Sequence, residues 1–570
     1  MKGILPWVYS FFCCLLFLIF AACKEKNEQP STEAITALNL KRGELIACGS
    51  PDKQFGTVGF VSSCSPEVKK DFELGVALLH SFEYDESEKV FARIIDQQPD
   101  CAMAYWGVAM SNYHTLWAPP TEAELKKGSK AIGMAATISA KTKREEDYIN
   151  AVSTFYNGWE KIDHPTRFAR FEKAMEKLYS AHPDDKEAAI FYALILTAAA
   201  DPTDKSFTKQ KKAAAMLKEL YVIQPDHPGI IHYIIHSYDY PQLAELALPE
   251  ARKYAAIAPS SAHAQHMPSH IFTRLGLWDE DIKSNLAASA SAKCYAETSG
   301  IQGHWDEELH TLDYLVYAYL QQGDNKSAMQ QWEYLKSIDK VSPVNFKVAY
   351  AFAAIPSRYV LENRLWKEAT NLELHPADLE WEKYPWQKSI YHFARALGFA
   401  NTANPDSARA ELKKMGILRD KLLEQKDVYK ANQVHIQMKS AEAWTALKTG
   451  KREEALRLMT EAADMEDKTQ KHAVTPGEVL PARELLGDLL MELNEPQKAL
   501  VAYEASLVEH PGRFNGLYSS GRAAELSNQV AKRDKYFRQL LKISEPVNSD
   551  RAELADVRLA LKHESTLHKQ

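Results

Sequence analysis

Two stretches near opposite ends of the chain spell the same helix–turn–helix unit, and this repetition restricts the fold more than any other feature. Residues 71–99 place Leu74, Gly75, Leu78, Ser87, Phe91, Ile94 and Pro99 at positions 7, 8, 11, 20, 24, 27 and 32 of a 34-residue unit. Residues 480–511 place Leu486, Gly487, Leu490, Ala499, Tyr503, Ser506 and Pro511 at the same positions. Small residues at 8 and 20 let two antiparallel helices approach closely, residues at 24 and 27 fill the seam to the next unit, and proline at 32 stops the second helix. Weaker copies keep the register at Ala213, Leu217, Leu220 and Pro225, at Ala247, Ala251 and Pro259, at Leu315, Tyr319, Gly323, Ala328, Trp332 and Leu335, and at Gly450, Ala455 and Met459. A chain of 570 residues with 45% hydrophobic and 25% charged residues excludes wholesale disorder, collagen and a coiled-coil rod. Length alone suggests roughly three or four domains, but a repeat array predicts one continuous stack.

This unit resembles the tetratricopeptide repeat (TPR), and the resemblance spans nearly the whole chain after residue 66. It implies an all-α fold, a right-handed superhelical solenoid of antiparallel helix pairs over 66–570, with an insertion near 113–165 around Trp117-Ala118-Pro119-Pro120. Four stretches, 64–82, 104–117, 266–278 and 511–525, also resemble a group of bacterial TPR proteins in their wording, which supports the fold and implies no activity. A local echo joins MPSHIFTRLGLWDE (267–280) to IPSRYVLENRLWKE (355–368). Its Arg274, Trp278, Arg364 and Trp366 read as packing between repeats.

The N-terminus reads as an address. Lys2 is followed by an apolar run from Ile4 to Phe20 and then Ala21-Ala22-Cys23, the order of a secretory signal. The ending resembles a bacterial lipobox, with Phe20 where an aliphatic residue is usual. It implies a signal peptide over 1–22, lipidation of Cys23, and a cell-envelope location on the outer membrane, facing the periplasm or the surface. The rival reading is a plain membrane anchor, because the apolar run reaches the lower edge of spanning length. Residues 23–65 read as a polar tether and an N-terminal loop segment. Lys24, Glu25 and Lys26 beside Cys23 also resemble the surface-export signal of Bacteroidetes lipoproteins. Outside the cytoplasm Cys48 and Cys64 can form a disulfide, the alternative being two free thiols, with Cys101 and Cys294 as small buried residues.

Eight of the 19 histidines fall between His227 and His310. In the repeat register, His232 and His236 occupy positions 5 and 9 of one first helix. His263, His266 and His270 occupy positions 2, 5 and 9 of the next, and His310 position 2 of the one after. In TPR proteins these positions line the concave groove. His232 and His236 stand i, i+4, a spacing by which two imidazoles grip one metal ion, with a third ligand available from His263, His266 or His270. Asp239 and Asp313 are candidates to supply a carboxylate or to orient a ring. Neutral imidazole suits Zn, Cu, Ni and Fe. The same cluster also fits a polar lining for a peptide or protein ligand, a pH-sensing group, or a merely structural set. If a helix begins at Pro268, His263 and His266 precede it.

Other groove candidates are His80, His114, Glu484 and Asp488, the last two favouring a basic ligand. The chain has no HExxH motif, no phosphate-binding glycine loop, and no Ser/His/Asp or Cys/His set at a usable spacing. Its net charge of −7 argues against nucleic acid as a partner. The sequence therefore predicts a membrane-tethered TPR binding protein with a histidine-rich groove for a peptide or protein. The alternative is a metal-binding protein or metal-dependent hydrolase, for example with Zn.

Overall fold

A computed structural model describes residues 29–49, 54–114, 119–201 and 204–567. The signal segment 1–22, Cys23 and Trp117 lie outside the described residues. Antiparallel helix pairs follow one another from Lys69–His80 with Tyr84–Gln97 to Phe514–Leu526 with Val530–Ser544, and Ala552–Leu567 ends the stack. The segment 113–165 contributes Glu122–Thr137 and Lys143–Tyr156, which pack against their neighbours in the series. The strands among the described residues are the short parallel pair His304–Trp305 and Val341–Ser342. The fold is the all-α solenoid of TPR-like helix pairs that the register implies.

The register shows in the packing. A Cβ added to Gly75 would lie 2.8 Å from the Phe91 ring, one on Gly487 would lie 2.4 Å from Tyr503, and one on Gly521 would lie 2.2 Å from Phe537. In each unit the residue at position 24 occupies the space that position 8 leaves. A methyl group there would force helices apart in an interior packed to crystal-like density.

The coil closes on itself. Trp278 Nε1 donates to the Gly512 carbonyl at 2.9 Å, Phe514 N to Gln321 Oε1 at 3.2 Å, and Ser549 Oγ to the Gly323 carbonyl at 2.6 Å. Gly276 ends its helix at φ +67°, and a Cβ there would meet the Pro511 carbonyl at 2.7 Å, so both backbone and space call for glycine. Trp278, expected to pack between neighbouring repeats, thus reaches a repeat one turn further on.

Among the described residues ahead of the first pair, a largely non-helical strap buries Leu38, Leu40, Phe55, Val58 and Phe60. The strap corrects the disulfide expectation. Cys48 bonds Cys294 and Cys64 bonds Cys101, so the Cys48–Cys64 bridge is not formed and Cys101 and Cys294 are not free thiols. The strap pairs Arg42 with Asp96, reaches Ser260 at Cys48 and returns to Gln98 at Ser65, so Cys48 meets Cys294 on its helix while Cys64 meets Cys101 at the start of Ala102–Ser111. The bridges span 246 and 37 residues, separations at which cross-linking stabilises by about 4–5 kcal/mol against the unfolded chain.

Candidate metal centre

Three consecutive first helices bring the histidines together. Pro228–Tyr238 opens with proline in its first turn and carries His232 and His236 on one face. The next first helix is divided: Ala262–His266, capped by Ser261, holds His263 and His266, and Pro268–Leu275 holds His270. Proline at 268 cannot donate into the preceding turn, and the break lets His266 and His270 face each other. His310 comes from Asp306–Gln322. All six are 6% exposed or less. The residues expected to line an open groove are therefore interior.

Two things fill the groove. Phe82 sets its ring 4.4 Å from that of His232 and 5.7 Å from that of His236. The non-helical segment 469–481, between the Arg452–Asp467 and Ala482–Glu492 helices, runs through the interior with Val474, Thr475 and Val479 buried. Buried loops need partners for their carbonyls. Arg274 donates to the Pro476 carbonyl, and Arg358 donates to that of Gly477 at 2.8 Å. Arg274 thus serves this loop as well as the repeat seam.

The histidines form two triads whose ring nitrogens lie within 4.8 Å of one another, His232/His236/His263 and His266/His270/His310. Proton positions in the second follow from its neighbours. Asn285 donates Nδ2 to the Asp281 carbonyl at 3.0 Å and to its carboxyl at 2.6 Å, so Asn285 Oδ1 is the atom facing His266. His266 Nδ1 donates to it at 2.6 Å. His270 Nδ1 donates to Asp239 Oδ2 at 2.9 Å, a carboxylate flanked by Lys471 at 2.7 Å and Arg274 at 3.3 Å. With both Nδ1 atoms protonated, the neutral rings carry lone pairs on Nε2. Those two Nε2 atoms stand 3.1 Å apart. Burial pushes His266 down to about 4 and His270 well below the ordinary imidazole range, so a shared proton is disfavoured at neutral pH. An ion between the rings satisfies both lone pairs. Ligand atoms about 2.0–2.1 Å from a tetrahedral Zn²⁺ stand a little over 3 Å from each other, and a metal-bound imidazole characteristically donates its other N–H to a carboxylate or carbonyl.

A third group, His80/Glu187/His227, has its ligand atoms equally close but is already satisfied. Ile230 N donates to His227 Nδ1, so His227 Nε2 donates to Glu187 at 2.8 Å. His80 contacts Glu187 through Nε2 at 2.9 Å and the Tyr233 hydroxyl through Nδ1 at 2.9 Å. The two imidazoles hold the Glu187 carboxyl below the usual range. This is a hydrogen-bonded strut between repeats.

The remaining candidates are placed elsewhere, which corrects several expectations. Asp313 is buried against Arg358, its ion-pair partner, and does not reach the histidines as a ligand or orienting group. Arg358 occupies the place of His270 in the Pro-Ser-His/Pro-Ser-Arg echo. Glu484 is bound bidentately by Arg513 at 2.9 and 3.0 Å, and Asp488 by Arg364 at 3.1 Å and the Tyr503 hydroxyl at 2.7 Å. Neither is left to attract a basic ligand. His114 pairs with Glu124 at 3.0 Å, away from the triads. The sequence reading missed Asn285, Lys471 and the 469–481 loop. The i, i+4 step from Asp281 to Asn285 was the available signal for the first.

Asp281 sets a pH dependence of its own. It is fully buried, contacts Thr273, and burial raises its carboxyl to about 8. The Thr273 hydroxyl donates to the Ser269 carbonyl at 2.7 Å and so is placed to accept the Asp281 proton. The unfolded chain releases that proton near pH 4 and the folded chain retains it until about 8, so stability falls as pH rises across that window. Asp281→Asn removes the titration. The variant should gain about 4 kcal/mol on the parent between pH 4 and pH 7, read from urea unfolding of metal-free protein at each pH.

The fold and site together define an α-solenoid with a buried all-imidazole cluster. No protein-family model and no curated protein matches the chain. Among solved structures, it is similar to a monomeric mutant of IFIT1 with Gppp-AAAA, at TM-score 0.37 and 11% identity, covering 84% of this chain and 100% of that one. It is also similar to the APC/C hetero-tetramer Cut9-Hcn1, at TM-score 0.27 and 11% identity, covering 87% and 97%. The human IFIT1 dimer with m7Gppp-AAAA gives TM-score 0.32 and 11% identity, covering 82% and 95%.

Proposed function

We propose that the protein is an envelope-anchored, metal-binding solenoid that holds a first-row transition-metal ion between His266, His270 and His310. The observation that carries this reading is the 3.1 Å approach of His266 Nε2 and His270 Nε2 while both Nδ1 atoms donate elsewhere. Neutral imidazoles favour Zn, Cu, Ni or Fe over Mg or Ca. Asn285 and Asp239 fix the rings, and Arg274 and Lys471 balance the Asp239 charge. The burial of all three ligands fits retention of an ion better than turnover of a substrate. A peptide in the groove would have to displace the 469–481 loop and Phe82, so binding of a protein partner is the lesser reading.

The envelope assignment draws on the lipobox-like Ala21-Ala22-Cys23 and on two disulfides, which persist in oxidising compartments. No helix among the described residues is long and apolar enough to cross a membrane. The test is elemental analysis of the full chain, purified in detergent without a histidine tag, beside the His266→Ala/His270→Ala variant. Stoichiometric transition metal in the parent and one ion fewer per chain in the variant is expected. A parent that neither contains nor takes up Zn, Cu, Ni or Fe contradicts the proposal.

A further inference from the structure

We infer that His232, His236 and His263 hold a second ion beside the first, making a paired all-imidazole centre suited to copper in its monovalent state. This rests on the metal-binding reading above but on separate residues. His232 Nδ1 donates to the His80 carbonyl at 2.6 Å, which leaves the lone pair on Nε2. That Nε2 lies 3.2 Å from His263 Nε2, and the ring of His236 stands 4.7 Å from that of His232. Without an ion, His263 donates its Nε2 proton to His232; with one, the proton moves to Nδ1 on the Glu307 side, so the ring stays neutral and both Nε2 nitrogens face the metal. The triads share a wall, with the His236 and His270 ring centres 6.0 Å apart and those of His263 and His266 6.5 Å apart.

The choice of ion follows from charge. All six ligands are neutral, and three nearby carboxylates face three cations, the surplus cation at Asp239 offsetting the surplus carboxylate beside Lys347. Asp239 meets Lys471 and Arg274, while Glu307, 4.0 Å from His263 Nδ1, and Asp306 share Lys347. No net negative charge remains to offset two cations in a dry interior. Desolvation cost and mutual repulsion both rise with the product of the charges, so a pair of dications costs about four times what a pair of monocations does. Among metals that imidazole binds well, copper offers a stable +1 state.

The test loads the full chain anaerobically with excess Cu(I)–bicinchoninate, desalts it, and measures copper per chain, with a parallel loading of Zn(II). Two copper ions per parent chain are expected, with fewer zinc ions. The His232→Ala/His236→Ala and His266→Ala/His270→Ala variants are each expected to retain one copper. The parent count decides the matter even if a variant fails to fold. One copper per parent chain would overturn the second ion, and zinc retained in place of copper would overturn the choice of metal. Both results leave a metal-binding protein, whereas uptake of no metal at all removes that reading too.

Discussion

Arg513→Ala is expected to destabilise the protein by about 3–5 kcal/mol, the usual cost of leaving buried charge unpaired. Arg513 is 1% exposed and binds Glu484 through Nε and Nη2 and Glu362 through Nη2, at 2.8–3.0 Å. Glu362 also accepts from Gln321 at 3.0 Å and Asn515 at 2.8 Å, so the network joins four helix pairs across one turn of the coil. Lysine is expected to rescue little, since a single ammonium cannot reproduce the fork that grips both carboxylates. The exposed pair Arg409–Asp406 is the control, and its removal should change stability by less than about 0.5 kcal/mol. Urea unfolding measures both, and equal losses at the two sites would show that the closed coil does not depend on this network.

The second large effect is stabilisation by metal. An ion that binds the folded chain and not the unfolded one adds about 4 kcal/mol when free ion exceeds its dissociation constant a thousandfold. Thermal unfolding should therefore move up on loading and fall back on chelation. His266→Ala/His270→Ala should abolish that response at the second triad while leaving the helical content near the parent's. In the apoprotein the same variant removes two facing lone pairs, so its own loss should be smaller than two buried truncations normally cost. A variant that unfolds with the parent's full metal response would place the ion elsewhere.

The helix pairs were legible because the repeat repeats: Gly75 with Phe91 and Gly487 with Tyr503 each state the same contact in one unit. The same register placed five histidines at positions 2, 5 and 9 of adjacent first helices, and those rings do converge. What the register cannot express is contact between turns of the coil. Cys48 finds Cys294, Glu362 finds Arg513 and Asp239 finds Lys471 over separations of 246, 151 and 232 residues. Each pairing depends on how tightly the superhelix winds, a sum of small rotations between repeats. The 469–481 segment reads locally as a Pro- and Gly-containing connection, which ordinarily lies on the surface. Only the closed coil turns it inward, where Arg274 and Arg358 satisfy its carbonyls. An open groove was therefore the natural expectation from sequence and the wrong one for this chain.

The central claim is that imidazole nitrogens hold a metal in the interior of the solenoid. X-ray absorption at the metal edge of the purified full chain tests it most directly. The account predicts a first shell of nitrogen near 2.0 Å with the multiple scattering of histidine rings, absent from the variant with His232, His236, His266 and His270 all replaced by alanine. A shell of oxygen or sulfur, or an unchanged spectrum in that variant, would contradict it.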